Sequence, residues 1–323
     1  MTVLKTILSH ALTVPFEDTA LALAHASGQF LAPHVQPMED WVMLLLNRHF
    51  PAQSAAFFHW IAAHQSPHTA KLAMMNPIHV LFAIMAYGTI VFVGCIIMRP
   101  LPRFSLKAFS FLHNLFLTLL SAYMAIRAMH LSKTHGYNVF TFGNSVDHSE
   151  AGSDMAKILW LFYFSKLPEF IDTFIMVLKK NFHQISFLHV YHHGSILAVQ
   201  WLVVLWAPGG ESALSTILNS SVHVVMYGYY LCMTLGWKSV SFIKPFITLF
   251  QMTQFCYLLT QGIVCWYMPS QDPTYSNYPP QLGAILVFYM LSMLALFGNF
   301  FIKDRRRAAK AKLDAKLKAT KSQ

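Results

Sequence analysis

The chain has 323 residues, of which 55% are hydrophobic and only 11% are charged. This composition excludes a soluble globular protein and indicates one that crosses a membrane several times. The formal net charge is +10. Because the basic residues follow apolar stretches and gather in the C-terminal tail, we interpret the charge as a signal of membrane topology and not of nucleic-acid binding.

Seven stretches of roughly 17 to 25 apolar residues are long enough to cross a bilayer as α-helices. They are residues 77–98, 106–128, 156–178, 185–206, 212–234, 245–268 and 282–302. We therefore predict an all-α membrane protein with three parts: an N-terminal luminal or interfacial segment (1–76), a seven-span domain (77–302) and a basic cytosolic tail (303–323). The N-terminus lacks a basic region followed by a long apolar one, so we expect no cleaved signal peptide.

The orientation follows from the basic residues, since short cytoplasmic loops collect lysine and arginine. Such residues follow the first, third, fifth and seventh spans, whereas the loops on the other side are neutral or acidic. We therefore expect a cytosolic C-terminus and an N-terminus across the membrane. The apolar pieces 20–26 and 41–46 of the N-terminal segment are too short to span, so we expect amphipathic helices at the membrane interface there.

The four cysteines all lie within predicted spans, without a CxxC pair; they are Cys95, Cys232, Cys256 and Cys265. Buried apolar thiols are generally inert. We interpret the cysteines as packing residues, which argues against a disulfide framework and against a cysteine nucleophile.

Polar side chains recur at helical spacing in four successive spans. In chain order the sets are Lys166, Glu169, Asp172 and Thr173; His189, His192 and His193; Asn219, His223, Tyr227 and Tyr230; and Gln251, Gln254 and Gln261. Spacings of three or four residues put the members of a set on one helix face. Because unpaired polar groups in hydrocarbon cost several kcal/mol, we expect these faces to meet around a common interior.

The three histidines of the fourth span allow several interpretations. A single histidine such as His113 is explained by packing, but three imidazoles on one face exceed what packing needs. A di-iron oxygenase needs about eight imidazoles in several clusters, more than are grouped here. Two chemistries need fewer histidines: metal-dependent hydrolysis, for which His189, His193, His223 and Glu169 could supply the ligands and the base, and acyl transfer, with one imidazole as nucleophile and another as base. A metal-dependent lipid hydroxylase also stays open as an alternative. A seven-span receptor or transporter fits the topology but gives no reason for the histidines.

Four sequence blocks carry a resemblance to a known family. KLPEFIDTFIMVLKK, QISFLHVYHH, NSSVHVVMYGYY and TLFQMTQF resemble, in order and spacing, the motif blocks of the very-long-chain fatty acid elongase family. The resemblance extends from about residue 77 to 302 and includes Asn76 and Pro77 before the first span. HVYHH, with Gln184 five residues before His189, is most similar to the branch that elongates polyunsaturated acyl-CoAs.

The resemblance implies a 3-ketoacyl-CoA synthase of the endoplasmic reticulum, which condenses acyl-CoA with malonyl-CoA and releases CO2 and CoA without a cofactor or a metal. By motif position it implies His192 as the acyl acceptor, faced by His223. His189 and His193 would orient or acidify this pair. The implied supporting residues are Lys166, Glu169, Asp172, Asn219, Tyr227, Gln251 and Gln254, with Glu169 and Asp172 fixing tautomers and positioning Lys166.

The family architecture implies a six-helix barrel of spans two to seven around an acyl-chain tunnel, with the first span outside. The CoA phosphates and the malonyl carboxylate would meet positive charge at the cytosolic mouth, and the candidate substrate-binding residues there are Lys179, Lys180, Lys238, Lys244 and Tyr230. We expect the far end of the tunnel at Trp201, Trp206 or Tyr123, so that Trp201→Ala lengthens the products. The implied partners are ketoacyl-CoA reductase, hydroxyacyl-CoA dehydratase and enoyl-CoA reductase, and homo-oligomerisation stays open.

Overall fold

The computed structural model describes residues 15–138 and 141–321, and regular structure within these ranges is helical. The helices are α1 (Phe16–His49), α2 (Pro51–His64), α3 (Pro77–Met98), α4 (Lys107–Thr134), α5 (Gly152–Phe164), α6 (Lys166–Leu178), α7 (Phe187–Trp206), α8 (Glu211–Leu235), α9 (Lys244–Gln271) and α10 (Pro280–Lys321), with short 3-10 segments at Phe182–Gln184 and Lys238–Ile243. The predicted all-α class is confirmed for the described residues.

Four helices are long and apolar enough to cross a membrane: α3, α4, α7 and the part of α10 from Pro280 to Arg307. Helices α8 and α9 have 25 and 28 residues, long enough to span, but they carry two of the polar stripes, which lower their hydropathy. The coarse class of a multi-span membrane protein is therefore supported by length and composition together.

The third predicted span is not one helix. Helix α5 ends at Phe164, α6 begins at Lys166, and each has 13 residues. Pro168 has no N–H and cannot donate to the carbonyl of Phe164 four residues earlier, which interrupts the hydrogen-bond ladder at this point. The stretch predicted as the third span, 156–178, is therefore divided into two helical segments that Ser165 separates.

The helices from α4 to α10 pack in a closed circuit. Helix α4 packs along α8, α8 against α9, and α9 along α10; α10 contacts α7, α7 contacts α5 and α6, and α5 contacts α4. Helix α3 packs against α6 and α7. The side chains of Ile158, Trp160 and Tyr163, all on α5, are fully buried, which makes this short helix the best-covered part of the bundle.

Three aromatic donors hold the segment that leads into α3. Trp160, Tyr163 and Trp201 donate to the carbonyl oxygens of residues 73, 74 and 75 at 2.8, 2.8 and 2.9 Å. Asn76 then caps α3 by accepting from the backbone N–H of Ile78 at 2.9 Å. Trp201 is thus a buried donor to the backbone, and it does not line the cavity described below.

The two other expected tunnel residues also have structural partners. Tyr123 donates a short hydrogen bond to Glu17 Oε2 on α1, and the indole of Trp206 contacts Trp60 of α2 edge to face, with ring centroids 5.3 Å apart. Neither residue belongs to the cavity described below.

Helix α1 presents three different faces to its surroundings. One face contacts the bundle: Glu17 is buried and accepts from Arg127 Nε at 3.1 Å, while Glu39 accepts from Asn76 at 2.6 Å and lies 2.9 Å from His79 Nε2. At 3.6 residues per turn, the helix has two further faces, one on each side of the face that contacts the bundle. The exposed apolar face carries Leu23, Phe30, Met38, Trp41 and Leu44. The exposed polar face carries His25, Gln29, Gln36, Asp40 and Asn47.

A helix held against the end of a membrane bundle, apolar on one side and polar on the other, matches an interfacial helix lying in the plane of the bilayer surface. The apolar face would enter the lipid and the polar face would meet water. Phe30 is 78% exposed and Trp41 is 61% exposed, which lipid contact would cover.

We expect a nitroxide scan to separate these two faces. In a variant whose four native cysteines are replaced, Phe30→Cys and Trp41→Cys labels in reconstituted bilayers should collide mainly with oxygen, which concentrates in lipid. The adjacent controls Gln29→Cys and Asp40→Cys should collide mainly with a water-soluble nickel chelate. Equal nickel collision within each pair would place α1 in water, and low collision rates with both reagents at Phe30→Cys would indicate that protein covers the apolar face.

Candidate active site

A narrow cavity of about 60 Å³ lies between α7, α8, α9 and α10, well below the range of about 300 to 1,000 Å³ that small-molecule sites occupy. His192 and Asn219 line one end, and the wall between the ends is mostly apolar. Helices α7 and α9 run in one direction, and α8 and α10 run in the other. The end of α7 therefore lies beside the starts of α8 and α10, and the opposite end of the cavity is formed by Val203, Glu211 and Leu282. At about 1.5 Å of rise per residue, the distance from His192 to Val203 is about 16 Å.

The far end of the cavity is closed by a buried carboxylate. Glu211, the first residue of α8, is 2% exposed, and a negative charge is favourable at a helix N-terminus. Its Oε1 accepts from the backbone N–H groups of Gly143 and Asn144, and its Oε2 accepts from Gln261 Nε2 at 2.7 Å. The carboxylate therefore joins α8, α9 and the loop before α5.

Two further polar contacts seal this end. The hydroxyls of Ser212 and Tyr278 are 2.9 Å apart, and burial raises the pKa of the Tyr278 phenol, so it stays a neutral group. Asn277 accepts from the backbone N–H of Val146 at 2.6 Å and donates to its carbonyl at 2.9 Å. The loops before α5 and before α10 thus close over the end of the cavity.

The three histidines of α7 form one cluster but face different neighbours. The rings of His189 and His193 are 4.4 Å apart, and those of His192 and His193 are 5.5 Å apart. His189 Nε2 lies 2.8 Å from the Thr173 hydroxyl on α6, and the His193 ring packs near Tyr87 of α3 at 6.2 Å between centroids. His192 alone of the three lines the cavity.

His192 faces the last helix. Its Nδ1 lies 3.3 Å from the Tyr289 hydroxyl of α10, which also lies 3.1 Å from the Ser195 hydroxyl one turn further along α7. Ser195 in turn donates to the Tyr191 carbonyl at 2.6 Å. A single chain of hydrogen bonds therefore connects the imidazole that lines the cavity to the backbone of its own helix.

An ion pair lies in the interior of the bundle. Lys166 Nζ is 2.7 Å from Glu169 Oε1, both side chains are almost fully buried, and the ammonium also lies 4.1 Å from the centroid of the Phe162 ring. His223 Nδ1 on α8 is 3.5 Å from the same carboxylate oxygen. Glu169 thus pairs with Lys166 and lies near His223. Removing one partner of such a pair leaves an uncompensated buried charge, at a cost of about 3 to 5 kcal/mol.

Asp172 has partners other than those predicted for it. His113 Nε2 of α4 lies 2.9 Å from one carboxylate oxygen, and Tyr227 of α8 donates to the other at 2.8 Å. Asp172 therefore ties α6 to α4 and α8 and does not contact Lys166. Beside it, the Thr173 hydroxyl lies 3.0 Å from the Tyr87 hydroxyl of α3.

The remaining supporting candidates divide between the cavity and the helix contacts. Asn219 and Gln254 line the cavity, and the buried Gln254 has no partner for its Oε1 atom among the described residues. Gln251 instead donates to the sulfur of Met226 at 3.6 Å. Tyr230 is 42% exposed, near the end of α8.

The lysines predicted at the cytosolic mouth lie at the ends of helices, but two of them have protein partners. Lys180 donates to the carbonyls of Arg99 and Leu101 at 2.9 and 3.0 Å, and Lys244 pairs with Asp304 of α10 at 2.9 Å. Lys179 is half-buried at the end of α6, and Lys238 is exposed at the start of a 3-10 segment.

The sequence interpretation missed Tyr289, Ser195, Tyr87 and His113 as members of these networks. Tyr289 with Ser292 is a polar pair at i, i+3 in the last span, the same signal that identified the other stripes, and could have been found by it. Within the described residues, no group of three or more His, Cys, Asp or Glu is arranged to hold a metal ion, and all four cysteines are free thiols.

Comparison with known proteins identifies the family. The family model described as ELO: GNS1/SUR4 family matches residues 72–313. Fatty acid elongase 6 of Leishmania major is 41% identical over 274 residues, which cover 82% of this chain and 70% of that protein. Very long chain fatty acid elongase 5 of Xenopus tropicalis is 38% identical over 223 residues, which cover 67% of this chain and 72% of that protein. The protein of the same name from Homo sapiens is 36% identical over 262 residues, which cover 79% of this chain and 84% of that protein. The chain therefore belongs to the ELO (GNS1/SUR4) family of fatty acid elongases.

Proposed function

We propose that this chain is the condensing enzyme of an elongation cycle: a 3-ketoacyl-CoA synthase that joins a long-chain, polyunsaturated acyl-CoA to malonyl-CoA through an acyl-histidine intermediate. One observation carries this proposal. Of the three clustered imidazoles, the one that lines the cavity is His192, the residue that the family motif marks as acyl acceptor.

The reaction follows from this placement. A lone pair on the His192 imidazole attacks the thioester carbonyl and forms a C–N bond, while the C–S bond breaks and CoA leaves as a thiolate that is then protonated. Loss of CO2 from malonyl-CoA supplies a carbanion that attacks the acyl carbonyl and releases the imidazole. The electron pair of the broken C–N bond returns to His192, so the enzyme ends unchanged. A cavity closed at its far end supports this route, because a dry site protects an acyl-imidazole from hydrolysis.

The neighbouring networks have supporting roles in this proposal. Glu169, paired with Lys166 at 2.7 Å and 3.5 Å from His223, fixes the position of His223 on α8. His189 and His193, which contact α6 and α3, hold α7 in register so that His192 faces the cavity. Asn219 and Gln254, which line the same cavity as His192, are available to polarise the substrate carbonyl.

The membrane arrangement belongs to the same proposal. We place seven spans in the endoplasmic reticulum membrane, with α5 and α6 forming one span, a luminal N-terminus and a cytosolic C-terminus. The closed packing circuit of α4 to α10 supports a six-helix barrel with α3 outside. In this orientation the CoA phosphates would meet Lys179, Lys238 and the other basic residues at the cytosolic ends of the helices, and the reductases and dehydratase of the cycle would act from that side.

The first test looks for the covalent intermediate. Purified protein incubated with a C18 polyunsaturated acyl-CoA and no malonyl-CoA should gain one acyl mass on His192, found by intact mass and peptide mapping, with release of one equivalent of free CoA. His192→Ala should abolish the adduct, and His148→Ala, an exposed loop histidine, should not.

Turnover with malonyl-CoA but without an adduct would contradict the acyl-histidine step and would make His192 an acid–base group in a ternary complex. Absence of turnover together with a stoichiometric bound metal would contradict the condensing function itself and would favour metal-dependent chemistry.

The second test concerns the closed end of the cavity. Leu282 is 3% exposed and belongs to the cavity lining, so Leu282→Ala should add room there and shift the product distribution towards longer chains. Leu291→Ala, on the lipid-facing side of the same helix and 49% exposed, is the matched control and should leave the distribution unchanged. Trp201→Ala should lower thermal stability, because Met75 loses a donor, without lengthening the products. An unchanged chain length in active Leu282→Ala would contradict this position of the cavity end.

A further inference from the structure

The hydroxyl protons around His192 can be counted. Ser195 donates its single proton to the Tyr191 carbonyl at 2.6 Å, because a carbonyl oxygen can only accept. Towards Tyr289, 3.1 Å away, the Ser195 oxygen must therefore accept. The single proton of Tyr289 is then directed to Ser195, and towards His192 Nδ1, 3.3 Å away, the Tyr289 oxygen can only accept.

From this count we propose, on the basis of the function proposed above, that Tyr289 is a positioning residue that keeps His192 in the tautomer with its proton on Nδ1. The Nε2 atom is then the one with a free lone pair, as a nucleophile requires. The hydrogen bond that one ring nitrogen of a histidine makes decides which of the two nitrogens carries the proton.

The same contact serves the acylated state. Attack by Nε2 on the thioester carbonyl gives an N-acyl imidazolium that keeps the Nδ1 proton and carries a positive charge. Tyr289 accepts from this Nδ1–H before and after the attack, so no hydroxyl has to rotate during the step. A preorganised acceptor of this kind stabilises developing charge without reorganisation.

A second hydrogen-bond chain in the same region provides a matched control. Ser292 donates to the Tyr289 carbonyl at 2.7 Å, and its oxygen lies 2.9 Å from the Tyr191 hydroxyl. Tyr191 and Tyr289 therefore each contact a serine that donates to the backbone carbonyl of the other tyrosine, so the two chains join α7 and α10 reciprocally. Only the chain through Tyr289 reaches His192.

The closing experiment compares the two tyrosines. Tyr289→Phe and Tyr191→Phe each remove one hydroxyl and one link between α7 and α10, but only Tyr289→Phe removes the acceptor from His192 Nδ1. In single-turnover acylation with acyl-CoA alone, Tyr289→Phe should lose about 10- to 100-fold more rate than Tyr191→Phe, the size seen when the partner that orients a functional histidine is removed. The KM for acyl-CoA should be similar in both, because neither hydroxyl binds the substrate in this scheme.

Replacing Ser195 gives a second test, in which adding Tyr289→Phe should not lower the acylation rate further. In Ser195→Ala the Tyr289 hydroxyl has lost its acceptor and donates to His192 Nδ1 instead. The imidazole proton then lies on Nε2, and this nitrogen no longer has a free lone pair for the attack. Adding Tyr289→Phe removes that competing donor, so the double variant should acylate as fast as Ser195→Ala or faster. Losses that simply add in the double variant would overturn the tautomer assignment, because a packing role for each side chain predicts additivity.

The outcomes separate the inference from the function on which it rests. Wild-type protein that forms neither an adduct nor a product would contradict the proposed function and would leave Tyr289 without this role. Active wild-type protein with equal rates in Tyr289→Phe and Tyr191→Phe would overturn only the role of Tyr289. A larger loss in Tyr289→Phe with unchanged KM, together with the non-additive serine result, supports it.

Discussion

Hydrocarbon offers no hydrogen bonds, so the polar side chains inside this helix bundle need partners from the protein, and several of them find these on another helix. Asp172 of α6 is the clearest case, because its two oxygens contact His113 of α4 and Tyr227 of α8. The Lys166–Glu169 pair reaches His223 of α8 in the same way. The contacts that place the candidate catalytic groups are therefore also contacts that fix the helix packing, and a change at one of them alters both.

This dependence explains which parts of the site could be predicted from the sequence. Polar residues three or four apart define a helix face, and that local rule found Glu169, His192 and Gln254. It does not say which helix supplies the partner, so the contact of Asp172 with His113 was not predicted. Tyr289 was overlooked because one tyrosine in an apolar span has the pattern of a packing residue, although Ser292 one turn later indicated a polar face.

The fold was predicted less completely at places where backbone chemistry overrides hydropathy. Pro168 interrupts the third span because its ring nitrogen has no proton to donate, while hydropathy runs through the break unchanged. Trp201 was a candidate for the end of the tunnel, and no pattern in the sequence indicated that its indole N–H donates to the carbonyl of Met75 at 2.9 Å. For a buried tryptophan, the hydrogen-bond partner is a better guide to position than the size of the ring.

Helix α7 shows how one histidine cluster can serve two purposes. His189 and His193 are four residues apart and face α6 and α3, where Thr173 and Tyr87 lie. His192 is turned by about 100° from His193, which is enough to direct it into the cavity beside Tyr289. Two imidazoles thus fix the rotation of the helix about its axis, and that rotation decides what the third imidazole can reach. For this reason a loss of activity on replacing His189 or His193 would not by itself make either of them a group that touches the substrate.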